Sequence, residues 1–174
     1  GRCGVKELSK GLLTNSIDIV VTMKNSVNMY KEFKCSDAAE IGKILIYSDK
    51  HHLADKDVSE LSLRDFSEDV FLAPWEIVEK MIADAISNYT RPYGFVPNLR
   101  FVKNHESTIT CVRNNMGVTI GDELMWAKDA EDLKWIPFNA SDIVSVARLT
   151  AKESDNIVDM EEILIEILKK EFQK

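Results

Sequence analysis

Short runs of β-branched apolar residues alternate with segments of helical period along this chain. That alternation restricts it to the α/β class, built from βαβ units on mixed, mostly parallel sheets. Residues 5–14 read as a helix ending near Thr14-Asn15, and residues 17–22 (IDIVVT) as a buried strand. Residues 23–38 read as loop, 41–47 as a second apolar strand, and 70–73 as a short one. Pro74 opens the next helix, where its missing N–H costs nothing. Val78, Met81, Ile82, Ala85, Ile86 and Tyr89 line one face of that helix, which stops near Arg91-Pro92. Further on, 99–103 is a strand, 106–114 a helix with Ile109 and Val112 inward, 118–120 a strand, and 122–128 a short helix. Residues 133–138 and 143–149 are strands, with antiparallel pairing open to them. In the second, Ile143, Ser145, Ala147 and Leu149 alternate with Val144, Val146 and Arg148. The closing helix, 156–172, points Ile163, Leu164, Ile167, Leu168 and Phe172 inward.

With 174 residues the chain forms one domain or two small lobes, long enough to bury a core without staples. No run reaches the roughly 18 apolar residues of a membrane span. The polar, charged start shows no signal peptide. The net charge is −7, and the basic residues are scattered. Phosphate-backbone binding needs clustered Lys and Arg, so this chain is not expected to touch nucleic acid itself; the acidity reads equally well as plain solubility. Cys3, Cys35 and Cys111 form no CxxC pair, which fits a reducing cytoplasm and small packing residues.

Chemistry is hard to find. His51 and His52 are adjacent and His105 is alone, too few for a metal site. No GxSxG, GxGxxG or Walker A sequence occurs, and no pair of carboxylates is marked out for acid–base work. No cofactor is expected, and the chain reads as a non-enzyme. Three strand-to-helix corners remain: Thr22-Met23-Lys24, then Ala73-Pro74-Trp75-Glu76, then Asn104-His105-Glu106-Ser107-Thr108. In a parallel sheet such corners bring helix N-terminal N–H groups to the ligand edge, where an anion sits well. Each corner reads also as simple capping, with Asn104 or Ser107 serving its own helix, and Trp75 as a packing aromatic.

Several segments, in order, resemble the effector-binding domain of LysR-type transcriptional regulators. Leu12-Leu13 before Ile17-Asp18-Ile19-Val20-Val21 is similar to that family's helix ending in a double Leu and its following strand. Ile44-Leu45-Ile46-Tyr47-Ser48 before His51-His52-Leu53-Ala54 resembles its strand and H-P-L-A motif. Leu61-Ser62-Leu63-Arg64-Asp65-Phe66 resembles the stretch opening its second lobe. Val112 to Val118 (VRNNMGV) resembles its V-a-a-G-x-G-i signature, and Leu133 to Phe138 (LKWIPF) its return strand. His52 replaces a Pro, which loosens that turn. Asn115 replaces a Gly at the end of a helix, where Asn is the second choice for left-handed geometry. The family's domain usually opens with a strand, a helix and a second strand before the segment resembling 5–22. Their lack here implies an incomplete first lobe with an exposed sheet edge.

The resemblance implies a two-lobed, periplasmic-binding-protein-like (type 2) fold. Lobe I would be 1–58 with 139–174 and lobe II 59–138, with crossovers near 41–48 and 133–138. It implies a small-molecule effector, a carboxylate or aromatic acid, in the inter-lobe cleft faced by Thr22, Met23, Lys24, Pro74, Trp75, Glu76, Asn104, His105, Glu106 and Ser107. It also implies homodimers or tetramers, and DNA contact only through an upstream domain outside this chain. A solute-binding receptor module of the same fold is the alternative.

Overall fold

The structure is a computed structural model that describes residues 5–24, 32–75, 79–125, 129–152 and 154–172. Packing divides the chain into two compact units, Gly1–Ile41 with Ser141–Lys174, and Gly42–Ala140. Residues 42–58, expected in the first lobe, pack with the second unit.

The first unit holds helix α1 (Val5–Leu13), strand β1 (Ile19–Met23), the first part of β2 (Phe33–Ser48), the last part of β6 (Leu133–Leu149) and helix α4 (Asp155–Phe172). Helix α1 ends in a Schellman motif. Asn15, at φ 59°, donates its N–H to Leu12 O and Ser16 donates to Gly11 O, which satisfies carbonyls the helix would leave open. β1 runs antiparallel to β6, with Val21 opposite Val146. β6 lies beside β2 in a sheet of order β1-β6-β2-β5. One face of this sheet buries Val20, Phe33 and Ala147 under Leu12 of α1. The other face carries Lys34, Ser36 and Arg148 toward Glu161 of α4. Because both faces are covered, residues 144–148 are all buried, and the in–out alternation expected there does not produce alternating exposure.

The second unit holds the rest of β2 and β6, strands β3 (Val70–Pro74), β4 (Asn98–Val102) and β5 (Thr119–Asp122), and helices α2 (Glu79–Thr90) and α3 (His105–Arg113). β2 and β5 pair antiparallel, Leu45 opposite Ile120, while β3 and β4 pair parallel, Phe71 opposite Leu99. Alternating residues feed two cores. Leu45, Tyr47, Phe71, Ala73 and Ile136 pack with Ile86 of α2. Ile44, Ile46, Leu72 and Leu133 pack with Ile109 and Val112 of α3. Helix α3 ends as α1 does. Asn115 at φ 54° donates to Val112 O and Met116 to Cys111 O, so Asn fills the left-handed position expected of it.

The α/β class and the element order agree with the sequence, but the ladders β1–β6 and β2–β5 are antiparallel and only β3–β4 is parallel among these three, where mostly parallel sheets are expected, and five further details differ. Residues 33–38, expected as loop, begin β2, and the two strands expected in 133–149 are one. Pro74 ends β3 rather than opening α2. Residues 122–125 form a strand end and a turn, and the remainder of the helix expected at 122–128 lies outside the described residues. Ile163 and Ile167, expected inward, are 57% and 50% exposed. The inward face of α4 runs instead through Ile157, Val158, Glu161, Leu164, Ile165, Leu168 and Phe172, because buried Arg148 draws Glu161 toward the sheet.

Candidate ligand-binding site

The parallel pair β3–β4 is where strand ends and a helix N-terminus meet, the position at which a sheet of this kind presents backbone N–H groups to a ligand. Pro74 is the last residue of β3, opposite Val102 at the end of β4, and it is buried. Pro has no N–H to donate, so it fits at a strand end, where the ladder stops. Trp75 follows and donates its N–H to Val102 O at 2.7 Å. Its side chain is 61% exposed and meets Phe101 edge-on, ring centroids 6.3 Å apart. Glu76 and Val78 lie outside the described residues.

Two residues beyond β4, Asn104 caps α3. Its Oδ1 accepts the Ser107 N–H at 2.8 Å, and its carbonyl accepts both the Thr108 N–H and the Thr108 hydroxyl. The capping alternative for Asn104 is therefore realised. His105 and Glu106 are exposed in the first turn and Ser107 is half-buried. The structure thus brings Pro74, Trp75, Asn104, His105, Glu106 and Ser107 to one edge of one small parallel sheet. That edge can offer first-turn N–H groups and the positive end of the α3 dipole to an anion, with a flat aromatic surface nearby. The carboxylate of Glu106 opposes part of that field.

The third corner belongs to the first unit. Thr22 and Met23 end β1 opposite Ser145 and Val144. Lys24 Nζ donates to Asp37 Oδ2 at 2.6 Å, and Asp37 Oδ1 accepts from the Ser145 hydroxyl at 3.0 Å. The Lys24 and Ser145 hydrogen bonds hold the Asp37 carboxyl below the usual carboxylate range. Lys24 already has its anion.

Two polar clusters draw on partners that are not legible from local sequence pattern. The first is the buried pair Arg148–Glu161, Nε to Oε2 at 2.6 Å. Ser36 donates to the other Glu161 oxygen, and Arg148 Nη1 donates to the Lys152 and Leu149 carbonyls. Burial pushes the Glu161 carboxyl up, but the Ser36 and Arg148 hydrogen bonds and the Lys34 charge outweigh it, and the net shift is downward. The second surrounds His51. Its Nδ1 accepts the Leu53 N–H at 3.2 Å, which leaves Nε2 to donate to Asp69 Oδ1 at 3.0 Å. The ring stacks on Phe66 and meets Tyr47 edge-on. The tyrosine hydroxyl is buried, and that burial pushes its pKa up. The HHLA segment is thus a buried joint of the second unit. The LSLRDF segment is one as well, its 3-10 turn closed by Ser62 and Asp65 over buried Leu63 and Phe66. Only partner positions far apart in sequence could have revealed either cluster.

Among the described residues no three His, Cys, Asp or Glu side chains converge as metal ligands, and no helix is long and apolar enough to cross a membrane. A shallow depression is lined by Val58, Leu133, Lys134, Trp135 and Pro137, none of them a residue of the three corners, with its Lys134 ammonium already donating to Ala54 O.

No family model matches this sequence, and no curated protein matches it. Solved structures do. The effector-binding domain of QuiR in complex with shikimate superposes with a TM-score of 0.76 at 14% identity, over 98% of this chain and 80% of that one. The BenM effector-binding domain with its effector benzoate gives 0.76 at 16% identity, over 97% and 77%. Full-length CbnR complexed with its target DNA gives 0.76 at 14% identity, over 98% and 59%. The chain therefore spans little more than half the length of a full LysR-family regulator and about four fifths of an isolated effector-binding domain. Its fold is that of the LysR effector-binding domains, a periplasmic-binding-protein-like type 2 fold.

Proposed function

We propose that this chain is the ligand-sensing part of a LysR-type transcriptional regulator working in a reducing cytoplasm, and that it binds a small carboxylate rather than catalysing a reaction. The observation that carries the reading is the edge of β3–β4, where the capped N-terminus of α3 stands beside exposed Trp75, on a fold shared with domains that hold shikimate and benzoate. Both of those ligands pair a ring with a carboxylate. The first turn of α3 and the Ser107 hydroxyl would take the carboxylate, and Trp75 would flank the ring. DNA binding would fall to another domain, as the CbnR–DNA complex suggests for a regulator of this fold. Sensing would then work by the ligand favouring one of two conformations of the regulator.

Calorimetric titration of benzoate, shikimate and a panel of related ring carboxylates into the wild-type chain and Ser107→Ala tests this. At least one carboxylate should bind the wild type saturably. Ser107→Ala should weaken it by about 10–150-fold, the value of one hydrogen bond to a charged group, with thermal stability unchanged. Absence of binding by every carboxylate would sink the sensing role. Equal binding by both proteins would sink the placement at α3.

A further inference from the structure

The depression lined by Val58, Leu133, Lys134, Trp135 and Pro137 lies within the second unit and has a volume of about 560 Å3. Small-molecule sites run from roughly 300 to 1,000 Å3. Four of the five lining side chains are apolar. Leu133 is buried, Trp135 half-buried, and Val58 and Pro137 exposed. All five stand on regular backbone, residues 133–137 on β6 and Val58 at the head of the 3-10 turn Val58–Glu60. Lys134 supplies the one charge among them. Its ammonium has three N–H donors, and one goes to the neutral Ala54 carbonyl. Among the described residues no carboxylate pairs with it. Asp57, next to Val58, is committed elsewhere: its Oδ1 accepts the Ser59 N–H at 2.9 Å and the Ser59 hydroxyl at 2.7 Å. Lys134 is half-buried, so its ammonium has given up part of its hydration without gaining a counter-charge.

We infer that this depression is a second binding site, for an aromatic monoanion: a flat ring system carrying one sulfonate or carboxylate. The anionic group takes the remaining Lys134 N–H donors. The ring covers the apolar surface of Trp135, Pro137 and Val58, so that binding removes that surface from water. Beside apolar walls the attraction between the two charges exceeds its value in bulk water. A neutral ring leaves the ammonium without a counter-charge, and a cation is repelled by it, so the site selects by charge as well as by shape. The depression is shallow and leaves much of a ligand in solvent, which limits the dissociation constant to about 0.1–1 mM. None of these residues belongs to the edge of β3–β4, so the site stands whether or not that edge takes a carboxylate.

Titration of the 174-residue chain with naphthalene-2-sulfonate, followed by nitrogen–proton correlation NMR, tests the inference. The backbone amide signals of Lys134 and Trp135 and the Trp135 indole N–H should shift saturably. Lys134→Met should weaken that binding by about 10-fold or more, and Lys134→Arg, which keeps a cation there, should retain most of it. Val58→Asp should weaken it as well by placing a like charge in the wall, with the fold intact because Val58 is already 42% exposed. The neutral naphthalene-2-sulfonamide should bind at least about 10-fold more weakly than the sulfonate. Ser107→Ala should leave the shifts at Lys134 and Trp135 unchanged, which separates this site from the edge of α3. Absence of saturable shifts at these residues overturns the inference. So does equal binding by wild type, Lys134→Met and Val58→Asp, or equal binding of sulfonate and sulfonamide. Loss of the same shifts in Ser107→Ala would place the ligand at α3 and overturn the second site.

Discussion

Replacing Arg148 with Met tests how α4 is attached. The guanidinium is 1% exposed, contacts Glu161 Oε2 at 2.6 Å and donates to Lys152 O at 2.7 Å. Met keeps much of the volume and removes the charge, so Glu161 stays buried as a carboxylate with Ser36 as its remaining close donor. Lys34, half-exposed and 4.0 Å away, is too distant and too well solvated to replace the arginine. Breaking a buried pair by removing one partner costs about 3–5 kcal/mol. For a chain of this size each kcal/mol lowers Tm by about 2–4 °C, so the variant should melt about 6–20 °C below the wild type in circular dichroism. The double variant Arg148→Met/Glu161→Leu should recover most of the loss, because the penalty is the stranded charge rather than the missing attraction.

The pH dependence carries a sign. The folded-state pKa of Glu161 lies below its ordinary value of 4.5, so its contribution is fully present above that value and is lost as pH falls through the folded one. Without Arg148 the folded pKa rises. The stability gap between wild type and Arg148→Met should therefore be largest near neutral pH and shrink in acid. A loss under about 1 kcal/mol at neutral pH, the range of an exposed pair, would refute the account of Arg148–Glu161 as a buried clasp.

Two further outcomes are expected. Gly117→Ala should cost about 3 kcal/mol or more, or about 6 °C or more in Tm, because φ there is 153° and a Cβ would lie 2.3 Å from Val70 O, a backbone atom of strand β3; urea denaturation measures it, and a near-neutral result would refute the close approach. Asn104→Ala should cost about 1 kcal/mol through loss of the α3 cap, with Asn104→Asp or Asn104→Ser close to wild type, read from the same urea midpoints.

The sequence by itself determined the α/β class, the order of most elements and the left-handed C-terminal ends of α1 and α3. Those are local matters: the 3.6 and 2.0 periods, and the need for left-handed backbone at Asn15 and Asn115, are written in neighbouring residues. The Asn104 cap was legible too, as one of two readings of its corner. Only the tertiary structure decided how far β2 and β6 run, because Lys34, Ser36 and Asp37 in a strand look like loop until a sheet partner and α4 satisfy them. It also decided which side of α4 turns inward. Apolar residues occupy more than half the circumference of that helix, so periodicity admits two faces, and the buried arginine selects the one carrying Glu161. The candidate site divides in the same way. The sequence located each corner, but the parallel register of Pro74 against Val102 is a pairing between residues distant in the chain, and that pairing places Trp75 and the first turn of α3 at one edge.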